Sequence, residues 1–529
     1  MGGHVFVTMS DLTRVACDAW LLPVDGIGHV TGAWRRRVPD EVRFDDRWCL
    51  RDLPDPWPRS AVAEVHHWYR ERRVDGHGVE RHNQAWAANI GSFDADIGRY
   101  LEGTRRFVTE AARATAPAFG RDRPLLAVPL VGTGAGGGAR RAGEIARALL
   151  DVIAATLEAG AHADVVVVLD REDAYSAVQA LRKHPGHDAW PELKAPERAQ
   201  GDALADEARA GALVLFLGAG VGMAAGLPSL HTLLADLARA AGLDPGSLLS
   251  PSSGLTPSDQ ARIIQTKLPP GELAERIATL IPAGEHSLLH ALLADLPVTE
   301  TVTTNYDSRF EQAVSAPPAA ERRLVVLPYE TLTETGRWLL KLHGSIPGPD
   351  TGPPVDLVLT RDDYFRHARE RAALGGILQA LLLTRTLLFV GFSLADDDFH
   401  EIAFDVRSVM PESREFGSVC LVANQPYLKA LWGNELEFID FSEDGAETNV
   451  ISAAACRRLE IFLDYVAAMA ATPVRHLFNP ALDGVLTDEE RAIRDLLSRV
   501  VGQSTPAMRA SPTWEPIAAL LRRYGRSDA

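Results

Sequence analysis

The stretch that decides the fold is ALVLFLGAGVGMAAGLPS, residues 212–229. Its first part, residues 212–217, is an uninterrupted apolar run, which is typical of a buried parallel strand. The run ends at Gly218-Ala219-Gly220, and a short helical segment leads to a second turn at Gly226-Leu227-Pro228. Glycines between a strand and a helix let the backbone approach a pyrophosphate, whose charge the helix N-terminus favours. Such a turn is also common without a ligand, so its meaning depends on the rest of the chain.

Composition and charge indicate a cytoplasmic globular protein of several domains. The chain has 529 residues and a formal net charge of −17. At ~100–200 residues per domain we expect about two to four domains, and the acidic charge disfavours a nucleic-acid partner. Its cysteines form no Cys-x-x-Cys pair, which argues against a zinc ribbon and fits a reducing compartment. No apolar run is long enough to predict a membrane span.

Residues 1–183 alternate predicted strands and helices. PLLAVPLVGTGAGGG, residues 124–138, reads as a strand that enters a glycine-rich loop. A predicted helix follows at about 141–157, and DVVVVL, residues 164–169, gives another strand. This order favours a parallel α/β layer with a phosphate or ligand loop.

The order of these pieces resembles the macro domain, an α/β module that binds ADP-ribose. Residues 11–13 and 18–22 stand where that family carries its aspartate motifs, and VPLVGTGAGGG matches its second phosphate loop. The resemblance implies that Asp11 or Asp18 recognises an adenine. It also implies that phosphates are wrapped by Gly132, Thr133, Gly134, Gly136 and Gly137.

The paired asparagines of hydrolytic macro domains are absent from residues 1–183, since Leu22 and Asp25 occupy their places. We therefore expect a divergent macro-like domain that binds an ADP-ribose-related nucleotide without catalysis. The alternative is a structural domain whose glycine loop is only a turn.

The rest of the chain predicts a second α/β domain. We expect a linker at 184–211, the domain at 212–471 and a C-terminal helical tail at 472–529. Amphipathic segments before residue 298 predict a helical lobe inserted after the first strand and turn. Turn or polar residues end the predicted strands at Gly218, Asn305, His343 and Gly391. Because ligands bind at the carboxyl ends of parallel strands, we expect these residues to share one site.

Motifs over about residues 212–470 resemble the sirtuin family. GAGVGMAAGLPS matches its NAD-phosphate loop, TTNYD its Thr-x-Asn-x-Asp motif, KLHGS its Leu-His-Gly motif and GFSL its cofactor turn. The resemblance implies a Rossmann-like three-layer α/β fold beside the macro-like one, with NAD as substrate. It implies NAD contacts from Gly218, Ala219, Gly220, Gly226, Pro228, Thr304, Gly391 and Ser393.

Departures from the deacetylase pattern indicate the branch. Gly222 replaces the usual serine, and Leu230-His231 stands where deacetylases carry Phe-Arg. The four-cysteine zinc module is missing, and residues 395–399 replace the segment that clamps an acyl-lysine peptide. The pattern resembles prokaryotic sirtuin-like effectors of anti-phage defence, which consume NAD. We accordingly expect no metal.

Three residues suit cleavage of the nicotinamide–ribose bond. The amide of Asn305 can position a water or a ribose hydroxyl at the anomeric carbon. His343, with an ordinary pKa near ~6.5, suits a general base. Asp307 suits a contact with the nicotinamide amide or with developing positive charge. The structural alternatives are a helix cap for Asn305, a packed histidine for His343 and a turn for Asp307.

We therefore predict an NAD glycohydrolase that acts as an anti-phage effector through abortive infection. Its control is expected through the macro-like domain or through homo-oligomerisation, with no membrane or nucleic-acid partner. Two alternatives stay open: an NAD-dependent deacylase or ADP-ribosyltransferase, and a non-catalytic nucleotide-binding sensor.

Overall fold

The computed structural model describes residues 2–35, 38–39, 41–74, 78–91, 96–134, 136–184, 186, 188–318, 322–332, 336–346, 355–410, 415–443, 445–471 and 474–526. The chain divides into two units. The first comprises residues 1–192, 316–321 and 467–529, and the second comprises residues 193–315 and 322–466. Each unit has its own sheet, so the predicted α/β class is confirmed.

The first unit alternates strands and helices from its N-terminus. Its strands are β1 (Val5–Met9), β2 (Ala19–Val24), β3 (Val62–Glu64), β4 (Arg70–Val74), β5 (Gly78–His82), β6 (Gln84–Asn89), β7 (Leu125–Pro129) and β8 (Asp164–Leu169). Its helices in this part of the chain are α1 (Gly32–Arg35), α2 (Ile97–Ala114), α3 (Ala142–Glu158) and α4 (Glu172–Arg182).

Six of these strands form one sheet in the order β1-β8-β7-β2-β6-β3. The neighbours are parallel except β3, which runs antiparallel to β6. The apolar run of β8 is buried along its whole length, as expected for a central parallel strand. β4 and β5 form a separate antiparallel hairpin. The glycine-rich loop follows β7 and therefore lies at the carboxyl edge of this sheet.

The C-terminal segment belongs to the first unit. Its helices are α18 (Asp488–Gln503), α19 (Pro506–Arg509) and α20 (Glu515–Arg523). Leu482 and Val485 join the core beneath the first sheet, and His476 shares a hydrogen bond of 2.9 Å with Ser176. The sequence left the packing of this tail open, because its amphipathic helices do not specify which apolar surface they cover.

The second unit begins within the residues expected as a linker, and α5 (Ala195–Arg209) belongs to it. Its strands are β9 (Leu213–Leu217), β10 (Glu300–Thr303), β11 (Leu324–Leu327), β12 (Arg337–Lys341), β13 (Thr386–Val390), β14 (Gly417–Leu421) and β15 (Leu436–Asp440). Its further helices are α6 (Ala219–Met223), α7 (Leu230–Ala240), α8 (Pro245–Leu248), α9 (Pro257–Lys267), α10 (Glu272–Leu280), α11 (Leu288–Asp295), α12 (Arg309–Ser315), α13 (Arg361–Glu370), α14 (Ala372–Thr384), α15 (Asp397–Arg407), α16 (Pro426–Trp432) and α17 (Ala453–Ala470), whose last turn is counted with the first unit.

The second sheet is parallel throughout and has the order β11-β12-β10-β9-β13-β14-β15. The strands β10, β12 and β11 lie on one side of β9, and β13, β14 and β15 lie on the other. The boundary between β9 and β13 is therefore the topological switch point where ligands bind in such sheets. The four strands that end at Gly218, Asn305, His343 and Gly391 are consecutive neighbours in this order. Packing therefore brings the predicted site residues to one edge.

A helical lobe interrupts the chain between β9 and β10, as predicted. Its core consists of apolar side chains from α7, α9 and α10, among them Leu234, Leu237, Ile264 and Ile277. Ile346 and Leu359 join the same cluster from the segments that follow β12. None of the helices in the described ranges combines the length and the hydropathy that a bilayer crossing demands.

Asp18 is a buried carboxylic acid in the first unit. Its Oδ1 accepts a hydrogen bond of 2.7 Å from the backbone N of Ala118, and its Oδ2 accepts one of 2.6 Å from Leu125. Burial raises the pKa of Asp18 from 3.8 to about 6, because desolvation outweighs these bonds and the nearby charges of Arg121 and His82.

The raised pKa of Asp18 predicts a pH-dependent stability. The folded chain binds this proton more tightly than the unfolded chain, so the contribution of Asp18 is present below about pH 4 and is lost as pH rises through about 6. A difference of about 2 pKa units corresponds to about 3 kcal/mol of unfolding free energy. We expect wild type to lose this amount relative to Asp18→Asn between pH 3.5 and pH 7 in urea denaturation. A difference that does not change with pH would contradict the prediction.

Candidate active site

Two glycine turns meet at the switch point of the second sheet. The backbone N of Gly218 donates to Val390 O at 3.0 Å, and that of Gly220 donates to Gly391 O at 2.9 Å. A Cβ on Gly218 would lie 2.4 Å from Gly391 O, and one on Gly391 would lie 2.5 Å from the N of Val221. Gly391 also has a φ of +65°, which L side chains rarely adopt. These glycines are therefore required by the close approach of the two backbones.

The predicted NAD contacts around these turns differ in exposure. Ala219 and Ser393 are exposed, whereas Gly220, Gly226 and Pro228 are half-buried. Gly226 has a φ of +78° and donates its backbone N–H to Met223 O at 2.9 Å. Whether these residues contact NAD stays a prediction.

Replacing Gly391 with Ala is expected to destabilise the second unit by about 1–3 kcal/mol, because the new Cβ adds strain at a positive φ and a clash with Val221. Gly376→Ala is a matched control, since Gly376 lies on the exposed side of α14 with no atom within 4 Å of the added Cβ. This control is expected to stabilise the unit by about 0.5–1 kcal/mol. Urea denaturation measures both changes. Equal effects of the two substitutions would contradict the packing argument.

The loop after β10 carries Asn305, Tyr306 and Asp307. The Nδ2 of Asn305 donates to Gly218 O at 2.9 Å, which ties this side chain to the first glycine turn. The hydroxyl of Tyr306 donates to Val358 O at 2.6 Å, and the Oδ1 of Asp307 accepts from the backbone N of Arg309 at 2.9 Å. Asn305 thus contacts the glycine turn at the switch point, and Asp307 binds the first residue of α12.

A buried lysine supports this loop from beneath. The side chain of Lys341, on β12, is 0% exposed, and its Nζ donates to Tyr306 O at 3.1 Å and to Asp307 O at 2.6 Å. Its third acceptor is Glu311 Oε1 at 2.9 Å. One ammonium group therefore fixes the backbone that follows Asn305.

His343 lies just beyond the end of β12 and is buried. Its ring makes edge contacts with Tyr364, at 5.4 Å between ring centroids, and with His367, at 5.9 Å. Its Nε2 lies 3.8 Å from Asp396 Oδ2 and 3.9 Å from Asp398 Oδ2. Burial lowers the pKa of His343, and the two carboxylates oppose that shift without cancelling it. The ring is therefore neutral near pH 7, which is the form that a general base needs.

A cavity of about 190 Å³ opens beside His343. Thr304 and Phe216 line it from the ends of β10 and β9, and α14 and α15 form much of its wall. Its acidic lining residues are Asp396, Asp398, Glu401 and Asp405. His343, Thr304 and the end of β9 thus meet around one acidic cavity.

Part of the second unit matches a known protein family. The SIR2-like domain family matches residues 299–435, which contain Asn305, His343 and Gly391. The chain carries a sirtuin-like domain. The family resemblance drawn from the four motifs is confirmed, whereas the macro-like assignment of residues 1–183 stays a prediction.

Several curated bacterial proteins are similar to the chain. The NAD(+) hydrolase ThsA of Enterococcus faecium is 30% identical over 213 residues, covering 39% of this chain and 42% of the relative. The protein of that name from Bacillus cereus (strain MSX-D12) is 28% identical over 223 residues, covering 40% and 43%. Defense-associated sirtuin 2 of Bacillus subtilis is 24% identical over 127 residues, covering 24% and 12%. The chain thus spans about two-fifths of the length of the hydrolases it matches.

The residues predicted to bind a second nucleotide lie in the first unit. Asp11 caps a short helical turn by accepting from the N of Thr13 at 2.9 Å, and Asp18 is held by the two backbone bonds described above. Tyr100 fills the inside of the glycine loop, and its hydroxyl donates to Gly136 O at 2.6 Å. Several of the loop's own polar groups are paired within it: Gly137 with Gly134, Gly138 with Gly132, and Thr133 with Leu130. Within the described residues, these contacts are those of a closed turn.

Sequence reasoning missed four residues of the sirtuin-like domain. Asp396 and Asp398 were noted only as departures from a peptide clamp, and His367 and Lys341 were not singled out. A run of acidic residues directly after GFSL was the one available signal for the carboxylates. Nothing local distinguishes His367, on α13, from a surface histidine, because only packing places it against His343.

Proposed function

We propose that the chain hydrolyses NAD to nicotinamide and ADP-ribose. The observation that carries this proposal is the placement of Asn305 and His343 at the carboxyl ends of the adjacent strands β10 and β12. An amide can orient a water or a ribose hydroxyl at an anomeric carbon, and a neutral imidazole can accept the proton of the attacking water. The names of the relatives from Enterococcus faecium and Bacillus cereus support the same reaction.

The charges of the site favour one orientation of the substrate. NAD is cationic at its nicotinamide ring and anionic at its pyrophosphate. The carboxylates of Asp396 and Asp398 beside His343 suit the cationic end, and they also stabilise the positive charge that develops on the ribose. The pyrophosphate would then lie toward the glycine turns, where the backbone has no side chains to exclude it.

In the proposed reaction, the bond between the ribose C1′ and the nicotinamide nitrogen breaks, and its electron pair stays on the nitrogen. A water oxygen forms the new bond to C1′, and its proton passes to Nε2 of His343. The Nδ2 of Asn305 already binds Gly218 O, so its Oδ1 is the atom that orients the water or a ribose hydroxyl. Asp307 would contact the carboxamide of nicotinamide. The transferred proton is later released to solvent.

We further propose that this activity serves anti-phage defence. The name of the Bacillus subtilis relative supports a role in defence. The proposed control acts through an ADP-ribose-related nucleotide at the first unit or through homo-oligomerisation. The parallel strands and the glycine loop after β7 support nucleotide binding by the first unit. The contact of Tyr100 with the inside of that loop supports the alternative, in which the loop is only a structural turn.

The decisive experiment is chromatography of NAD after incubation with the purified full chain, with and without ADP-ribose derivatives. The expected result is nicotinamide and ADP-ribose in equal amounts. Intact NAD under every condition overturns the hydrolase, and transfer of an acyl group from an acyl-lysine peptide to ADP-ribose would favour the deacylase instead. A cleavage rate that no ADP-ribose derivative changes overturns control by such a nucleotide.

A further inference from the structure

Three side chains able to ligate a metal ion converge beside the cavity. His343, Asp396 and Asp398 each offer one ligand atom, and these atoms all lie within 4.8 Å of one another. Outside this group, Nδ1 of His367 lies 3.5 Å from Asp398 Oδ2. The cluster combines the end of β12 with the start of α15, so two separate segments supply it.

The spacing within this cluster differs from that of a hydrogen-bonded network. The Nε2 of His343 lies 3.8 Å and 3.9 Å from the nearest oxygens of Asp396 and Asp398. A hydrogen bond between such groups would measure about 2.7–3.2 Å. Ligands held at about 2.0–2.2 Å around a tetrahedral ion lie about 3.3–3.6 Å from each other. The separations of Nε2 of His343 from the two carboxylates are therefore within a few tenths of an ångström of ligand spacing.

One oxygen of this cluster is buried without a partner. The side chain of His343 is 6% exposed, and those of Asp396 and Asp398 are 14% and 20% exposed. Within the described part of the chain, Oδ2 of Asp398 is a buried atom with no hydrogen-bond partner. Buried polar atoms normally find partners, so this oxygen points to a ligand.

The orientation of Asp396 is fixed independently of any ligand. Its Oδ1 caps α15 by accepting from the backbone N of Asp398 at 3.1 Å and of Phe399 at 3.3 Å. Its Oδ2 is thereby directed toward His343. One ligand atom of the cluster is preorganised by the helix cap.

The net charge around the cluster favours a cation. Glu401 and Asp405 line the same cavity as Asp396 and Asp398. Arg371 also lines it, but its Nη2 pairs with Asp356 Oδ2 at 2.5 Å. Negative charge in a partly closed cavity raises the local concentration of cations.

We propose that His343, Asp396 and Asp398 bind one divalent transition-metal ion, with zinc preferred, and that this ion inhibits NAD cleavage. An imidazole with two carboxylates suits Zn²⁺, whereas Mg²⁺ prefers oxygen ligands and retains its water. A metal on Nε2 of His343 occupies the lone pair that would accept the proton. The inhibition rests on the proposed function, whereas the binding does not. The proposal departs from the sequence-based expectation of no metal.

Isothermal titration of the EDTA-treated full chain with zinc chloride, without NAD, tests the binding. We expect one saturable site per chain that Asp396→Asn and Asp398→Asn each weaken at least about 10-fold, and no comparable binding of magnesium chloride. His231→Gln, which removes an exposed imidazole on α7, is the matched control and should bind zinc as wild type does. No saturable zinc binding, or equal binding by wild type and the Asp396→Asn/Asp398→Asn double variant, overturns the site.

The inhibition is tested separately by NAD cleavage. We expect the EDTA-treated protein to cleave NAD, and zinc at the measured saturating concentration to abolish that cleavage reversibly. Zinc that binds at the site without slowing cleavage, or that restores cleavage to inactive EDTA-treated protein, overturns the inhibitory role. If the protein binds zinc but never cleaves NAD, the proposed function fails while the metal site stands.

Discussion

Replacing His343 with Ala is expected to lower the rate of NAD cleavage about 10²–10⁴-fold, because the reaction loses the base that accepts the proton of the attacking water. Asn305→Ala is expected to have an effect of similar size, since the water or ribose hydroxyl then lacks its orienting amide. Asn305→Ala also removes the 2.9 Å bond to Gly218 O, which contributes about 0.5–1.5 kcal/mol to stability. Chromatographic assay of nicotinamide release measures both effects.

In this experiment, a loss of catalysis must be distinguished from a loss of folding. His231→Ala provides a control, because His231 is an exposed residue of α7, in the helical lobe. We expect it to retain the wild-type cleavage rate, and we expect circular dichroism of all three variants to match wild type. Cleavage by folded His343→Ala within about threefold of wild type would exclude His343 as the base and would leave it as a packed histidine.

Lys341→Met is expected to destabilise the second unit by about 3–5 kcal/mol. The substitution keeps the length of the side chain but removes the ammonium, which leaves Glu311 and two backbone carbonyls without their buried partner. The loop after Asn305 then loses its support, so we also expect NAD cleavage to fall at least about 10-fold in the protein that remains folded. Urea denaturation and the nicotinamide assay measure the two effects.

Lys267→Met is the matched control for this substitution. Lys267 is exposed at the end of α9, so its replacement is expected to change the unfolding free energy by less than about 0.5 kcal/mol. Lys341→Met with the stability and activity of that control would show that the loop does not depend on the buried ammonium.

Local sequence was sufficient for the strands beside the switch point and for the edge of the sheet at which their residues meet. Apolar runs fix β9 and β13 as buried strands, and the turns that follow them are encoded by glycines that no other residue replaces without a clash. Because parallel strands align their carboxyl ends, the same reasoning predicted that Asn305 and His343 would come together. The order of the strands and of the residues that follow them was sufficient for this prediction.

Neighbours of these residues could not be predicted in the same way. His367 lies on a helix 24 positions after His343, and Asp398 lies 55 positions after it. Whether such side chains face the imidazole depends on how α13 and α15 pack on the sheet, and helical periodicity does not specify that rotation. Lys341 presents the same problem, since a lysine in a strand is usually exposed and only its three acceptors explain its burial.

The C-terminal helices show most directly what the sequence could not predict. Their amphipathic pattern predicted helices but not a partner, and the structure counts them with the first unit although they follow the sirtuin-like domain in the chain. The sequence by itself therefore determined the α/β class, the strands and the motif residues at their ends. Only the tertiary structure decided that the switch point joins two glycine turns and that two carboxylates lie beside Nε2 of His343. The physical reason is that burial and charge at a site depend on side chains distant in sequence.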